Sequence, residues 1–132
     1  MKSSSPQIPA KLILFLTTLT SFMTAFMGSS LNIALPIIGV DFNASALMLS
    51  WLSTIYLLTA AAFLLPVGRL SDIYGRTKFF KLGLLLFSSG SLLCGISPDA
   101  TTLLLLRIIQ GTGAAFIFTS STALIVSAFP QN

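Results

Sequence analysis

From Leu12 to Val40 the chain carries no charged residue. Two more apolar runs follow, and then a fourth that holds a single arginine. A helix of about 20 apolar residues crosses the ~30 Å hydrocarbon core of a bilayer. In lipid every backbone N–H and C=O must be satisfied within the segment, which leaves helices or closed barrels. Runs of this length without period-two alternation read as helices. Of the 132 residues, 55% are hydrophobic and only 8% charged. A soluble domain carries about 25% charged residues, so this chain could not cover itself with polar surface.

The expected organisation is an all-α membrane protein with four transmembrane helices. Residues 1–11 form a cytoplasmic tail, polar and containing Pro6 and Pro9. Helix one covers Leu12–Ile38, helix two Ala46–Val67, helix three Phe79–Ile96 and helix four Thr101–Ala128. Gly68–Lys78 is a charged loop between the second and third. Residues 129–132 begin a cytoplasmic connection. The first run is too long for a secretory signal, whose apolar region is about 7–15 residues. Pro36 and Pro66 fall near the ends of their helices, where a helix can stop, bend or widen.

Charge sets the orientation. Lys2, Lys11, Arg69, Arg76, Lys78 and Lys81 fall on one side of a four-span arrangement, and Asp41 and Asp99 on the other. By the positive-inside rule both termini and the central loop are cytoplasmic, in a multi-pass protein of the cell (plasma or inner) membrane.

Enzymatic chemistry has few candidates. There is no histidine, and there are three scattered aspartates and one cysteine, Cys94. Neither a metal cluster nor a disulfide can be built from this set, and no cofactor is expected. The net charge of +4 lacks the basic blocks with interleaved aromatics that bind nucleic acid. The expected partners are the lipid bilayer and a small molecule.

Two features carry functional weight on physical grounds. In the central loop, Asp72 and Arg76 stand four apart and can pair if the segment is helical. Gly68 admits close helix approach, and Gly75 permits a turn that other residues avoid. In helix four, Arg107 lies about one and a half turns in and must find a partner, water or the interface. It shares a helical face with Gln110, Gly111, Ala114 and Ala115. In helix one, Thr17, Thr20, Ser21, Thr24, Gly28 and Asn32 form a polar stripe, either helix packing or the wall of a cavity. Trp51 reads as an interfacial anchor, and Tyr56 as an anchor or a pocket residue.

These stretches resemble signatures of the major facilitator superfamily of transporters. Gly-x-x-x-Asp-x-x-Gly-Arg-x-Lys, from Gly68 to Lys78, is similar to the motif between helices two and three. Arg107 to Ala115 resembles the helix-four motif. Leu31-Asn32-Ile33-Ala34-Leu35-Pro36 resembles the end of the helix-one motif of the fourteen-helix drug:proton antiporter branch. The resemblance implies an incomplete N-terminal half of a major facilitator fold, an N-terminal fragment whose remaining C-terminal helices lie beyond Asn132. It implies a secondary transporter, with multidrug or small-molecule efflux by alternating access. It gives Gly68, Asp72, Gly75 and Arg76 a conformational role, and places Arg107, Gln110, Gly111 and Asn32 at the coupling site or cavity. Ile73 and Thr77 stand where the family often has basic residues. Met27 stands where that branch usually has a membrane aspartate, so coupling through that carboxylate is unavailable here. The alternatives are a self-contained four-helix scaffold or a small dimeric transporter. The absence of any glutamate argues against the dimer.

Overall fold

A computed structural model describes residues 9–128. Four α-helices account for nearly all of them: α1 (Ala10–Asp41), α2 (Ala46–Tyr74), α3 (Arg76–Gly95) and α4 (Ala100–Ala128). All four are long and apolar enough to cross a membrane. Among the described residues there is no strand. At 1.5 Å per residue, the 32 residues of α1 reach ~48 Å and the 20 of α3 ~30 Å. The longer helices therefore overrun a bilayer core at one or both ends.

The ends follow local chemistry. The Ser45 hydroxyl accepts the Met48 amide at 3.2 Å and caps α2. The Asp99 carboxylate accepts the Thr102 amide and caps α4. Asn43, at φ 52°, turns the chain between α1 and α2. Pro36 and Pro66 end neither helix. Each removes one donor, and the helix continues past it.

The expected loop Gly68–Lys78 is not a loop. α2 continues through Tyr74 and α3 begins at Arg76, so Gly75 alone breaks the helix. Its φ of 105° lies where a side chain would clash, which glycine tolerates. Polar character at a membrane surface does not require irregular backbone, because charged residues support a helix that projects into water. By the same extension Asp72 lies within α2 and Asp41 closes α1. Ala10 and Lys11, expected in the tail, are helical. The rest of the tail, including Lys2, and the connection at 129–132 lie outside the described residues.

α4 is the central element and carries the most buried residues. It packs most extensively on α3 and α2, and more lightly on α1. Two glycines make this possible. Residues 111 and 113 lie ~200° apart around a helix, so they meet different neighbours. A Cβ on Gly111 would come 2.6 Å from the Tyr56 carbonyl oxygen of α2. A Cβ on Gly113 would come 2.5 Å from the Phe87 nitrogen of α3, and one on Gly83 2.6 Å from Phe116 Cβ of α4. α4 thus lies between α2 and α3 at backbone contact, running parallel to α2 and antiparallel to α3. Close backbone approach through small residues is how helices associate in lipid, where apolar burial gives little driving force.

Most large apolar side chains point away from this contact. Phe15, Phe22, Phe26 and Ile33 of α1 are exposed, as are Leu57 and Leu65 of α2. A bilayer or further helices are the environments in which such surfaces are stable.

Candidate functional site

Arg107 stands seven residues into α4 from Ala100, ~10 Å along the helix. It is only 4% exposed, which rules out a side chain snorkelling freely to the surface. Its Nε donates to the Leu52 carbonyl of α2 at 3.4 Å, a long bond. Its Nη1 donates to Gln110 Oε1, one turn further along α4. Gln110 Nε2 donates in turn to Ser91 Oγ of α3 at 2.7 Å, and Ser91 Oγ donates to the Phe87 carbonyl at 2.8 Å. The guanidinium lies 4.6 Å over the ring of Tyr56. Three helices therefore hold one cation through carbonyls, an amide, a hydroxyl and a π-face.

The charge partner is missing. Among the described residues the sole ion pair is Asp72–Arg76, remote from Arg107. An unpaired arginine at the centre of a span costs on the order of 2.5–3.5 kcal/mol on insertion scales. Polar contacts and the Tyr56 face offset part of that.

Arg107 lines two cavities. One, of about 530 Å³, lies between α1, α2 and α4. Ser21, Thr24, Gly28 and Asn32 of the helix-one stripe line it, with Ser53 and Tyr56 opposite. The Ser53 hydroxyl donates to Asn32 Oδ1 at 3.4 Å. The other, of about 350 Å³, is bordered by Met27, Asp41, Ser91, Cys94 and Gln110. The stripe divides: Thr17 and Thr20 are buried and bond back to their own helix, while the remaining four border the larger cavity. Both alternatives left open by the sequence are thus realised, packing in one half and a cavity wall in the other.

The second cluster lies at the far end of the bundle. Arg76 Nε donates to Asp72 Oδ1 at 3.0 Å across the Gly75 break. Its Nη1 donates to the Ala123 carbonyl of α4 at 2.9 Å. One side chain thereby ties the α2–α3 corner to the last turns of α4. Gly68 faces Thr119 of α4, whose Cγ2 would lie 3.9 Å from an added Cβ. Gly68, Ser71, Asp72, Arg76, Thr119 and Ala123 border an open groove of about 400 Å³.

The structure brings Arg107, Gln110 and Gly111 together on α4 and sets Asn32 on the wall of the larger cavity that Arg107 also lines. It keeps Gly68, Asp72, Gly75 and Arg76 apart from that group, as a separate cluster. The sequence reading missed Ser91 as the acceptor behind Gln110, and left Tyr56 undecided. Ser91 adjoins Gly90, whose added Cβ would meet Gln110 at 3.1 Å, and that thin face of α3 was the available signal. Among the described residues no group of His, Cys, Asp or Glu could hold a metal ion.

Comparison with known proteins decides the family. The Major Facilitator Superfamily model matches residues 17–132. The chain belongs to the major facilitator superfamily. It is 35% identical to the riboflavin transporter RibZ of Clostridioides difficile, over 92% of this chain and 26% of that protein. It is 37% identical to the multidrug resistance protein Stp of Mycobacterium tuberculosis, over 91% of this chain and 22% of that one. It is 39% identical to the puromycin resistance protein pur8 of Streptomyces alboniger, over 79% and 21%. The chain therefore spans about a quarter of the length of the curated relatives it matches. Members of this superfamily are multi-pass membrane proteins, in accord with four helices that are each long enough to span.

Proposed function

We propose that this chain is the N-terminal part of a secondary active transporter that exports small molecules by alternating access. The observation that carries the reading is a buried guanidinium on the wall of a polar cavity, inside a bundle whose outer faces are apolar. Such a group is costly in lipid and is kept where a pathway uses it. Transporter sites lie near the bilayer midplane, at the interface between structural repeats. The relatives named for multidrug and puromycin resistance support export rather than uptake.

In this reading the Arg76–Asp72 cluster belongs to the end where access is switched, with Gly68 facing Thr119 of α4 across the open groove. Arg76 holds the corner on α4, so any movement of α4 is felt at Asp72. Arg107 and Asn32 belong to the larger cavity, Gln110 holds Arg107 from the smaller one, and Gly111 lets α4 approach α2 closely enough to seat them. The drug:proton antiporter branch follows from the resemblance of Leu31 to Pro36, and Met27 then requires the titrating carboxylate to come from elsewhere. The basic end, with Lys11, Arg69, Arg76, Lys78 and Lys81, is the cytoplasmic one.

The test is efflux from cells expressing the full-length transporter that contains this segment. Native protein lowers accumulation of a fluorescent substrate, and Arg107→Ala abolishes or uncouples this at equal membrane abundance. Unchanged efflux by Arg107→Ala would reduce Arg107 to a packing residue. Substrate transport by residues 1–132 alone in liposomes would contradict the fragment reading.

A further inference from the structure

We propose, on the footing of the transporter reading above, that Ser91 of α3 is a positioning residue. Through Gln110 it sets where the Arg107 guanidinium stands between the two cavities. The inference follows from the direction of three hydrogen bonds in series.

A guanidinium has N–H donors and no acceptor. Gln110 must therefore turn its amide oxygen to Arg107 and its NH2 group away. That NH2 group needs an acceptor, because Gln110 is 1% exposed and a buried unpaired donor is costly. Ser91 Oγ is the acceptor, at 2.7 Å. A hydroxyl has one proton to donate, and Ser91 commits it to the Phe87 carbonyl four residues back on its own helix, at 2.8 Å. Its lone pairs then face Gln110. Turning the Gln110 amide over would set donor against donor at Arg107 and acceptor against acceptor at Ser91. The series therefore has one polarity from Arg107 to Phe87.

Packing holds the parts in register. A Cβ on Gly90 would come 3.1 Å from the Gln110 nitrogen, Cα and Cβ, so α3 lies against the backbone of Gln110 itself. That approach sets Ser91, the next residue, beside the Gln110 side chain. Ser91, Gln110 and Arg107 all border the cavity of about 350 Å³, and of the three only Arg107 also borders the one of about 530 Å³. From α2, the Leu52 carbonyl and the Tyr56 ring hold the same guanidinium. The bond to Leu52 is long at 3.4 Å, which leaves Gln110 as the firmer tether. Without the Ser91 hydroxyl, Gln110 loses the group that fixes its amide, and Arg107 loses the tether behind it.

Two readouts of the full-length transporter that contains this segment test this. The first is the side-chain N–H resonances of Arg107 in nanodiscs, with isotope-labelled arginine, assigned by their loss in Arg107→Lys. Ser91→Ala shifts and broadens them, and Ser91→Thr, which keeps the hydroxyl, leaves them native. Ser91→Cys, close in shape and a weaker acceptor, moves them in the same sense and serves if Ser91→Ala does not fold. The second is efflux at equal membrane abundance. Ser91→Ala lowers it about two- to tenfold, the range for one neutral hydrogen bond. In a Gln110→Ala background Ser91→Ala changes neither readout further, because Ser91 acts through Gln110.

Arg107 resonances unmoved by Ser91→Ala, a Ser91→Thr protein that behaves as Ser91→Ala, or a further change in the Gln110→Ala background overturns the positioning role and leaves the transporter reading intact. Resonances that move as expected while Arg107→Ala efflux stays native uphold the positioning and overturn the part given to Arg107 in transport.

Discussion

The Arg107 guanidinium rests 4.6 Å above the Tyr56 ring, so the one charge buried among the described residues is held against α2 by an aromatic face. Tyr56 is itself buried. It also presents its carbonyl to Gly111, where an added Cβ would approach to 2.6 Å. One residue of α2 thus both seats the charge of α4 and sets how closely α4 approaches.

Tyr56→Phe keeps the ring and is expected to stay within about 0.5 kcal/mol of native stability. Tyr56→Leu loses the cation–π contact and part of the packing, and is expected to cost ~1–3 kcal/mol. Thermal unfolding in detergent of the protein containing this segment distinguishes them. Equal losses in both variants would show that the hydroxyl, not the ring, matters.

Gly113→Ala is expected to destabilise by ~1–3 kcal/mol, because its Cβ would meet the Phe87 backbone of α3 rather than a flexible side-chain end. Gly28→Ala is the control. Nothing lies within 4 Å of its Cβ, and alanine favours a helix interior by about 0.8–1 kcal/mol over glycine. The two variants should therefore move the unfolding midpoint in opposite directions.

Arg76 and Asp72 should separate in a double-mutant cycle. Their side chains are 37% and 59% exposed, so the ion pair alone contributes under about 1 kcal/mol. Arg76→Ala also loses the donor to the Ala123 carbonyl and is expected to cost more than Asp72→Asn. In transport, Asp72→Asn should slow the exchange between access states more than it changes substrate affinity. An altered affinity with normal exchange would refute the switching role.

Asp99 gives a pH dependence. The Thr102 amide that its carboxylate accepts holds its pKa below the ordinary aspartate value of about 3.9. A depressed folded value means that the cap contributes fully above the unfolded pKa. That contribution fades as pH falls through the folded value. Asp99→Asn keeps an acceptor and removes this slope, so native and variant should converge in stability under acid. Identical acid profiles would show that the cap is not titrating.

The membrane-spanning helices were legible because lipid imposes them on any uncharged apolar run of sufficient length. Arg107 was legible because a charge in such a run must find a partner, water or the interface, and its burial then decided against the interface. The Gly68–Lys78 segment was legible in composition but not in conformation. Its charges suit water, and both a loop and a protruding helix satisfy water; the contact of Arg76 with the Ala123 carbonyl, 47 residues away, is a tertiary one that no local pattern displays. Ser91 was hidden for a similar reason. A serine on a lipid-embedded helix can bond back to its own turn, and only α3 packed on α4 at Gly90 sets it beside Gln110.

By itself, the sequence determined that four helices cross a membrane, where basic residues gather, and that one cation is stranded among apolar neighbours. Hydrophobic length and charge cost are local properties, fixed before any helix meets another. Tertiary structure alone decided which groups receive that cation and which cavity it borders. Those depend on the close approach of α2 and α3 to Gly111 and Gly113, a contact between segments far apart in the chain.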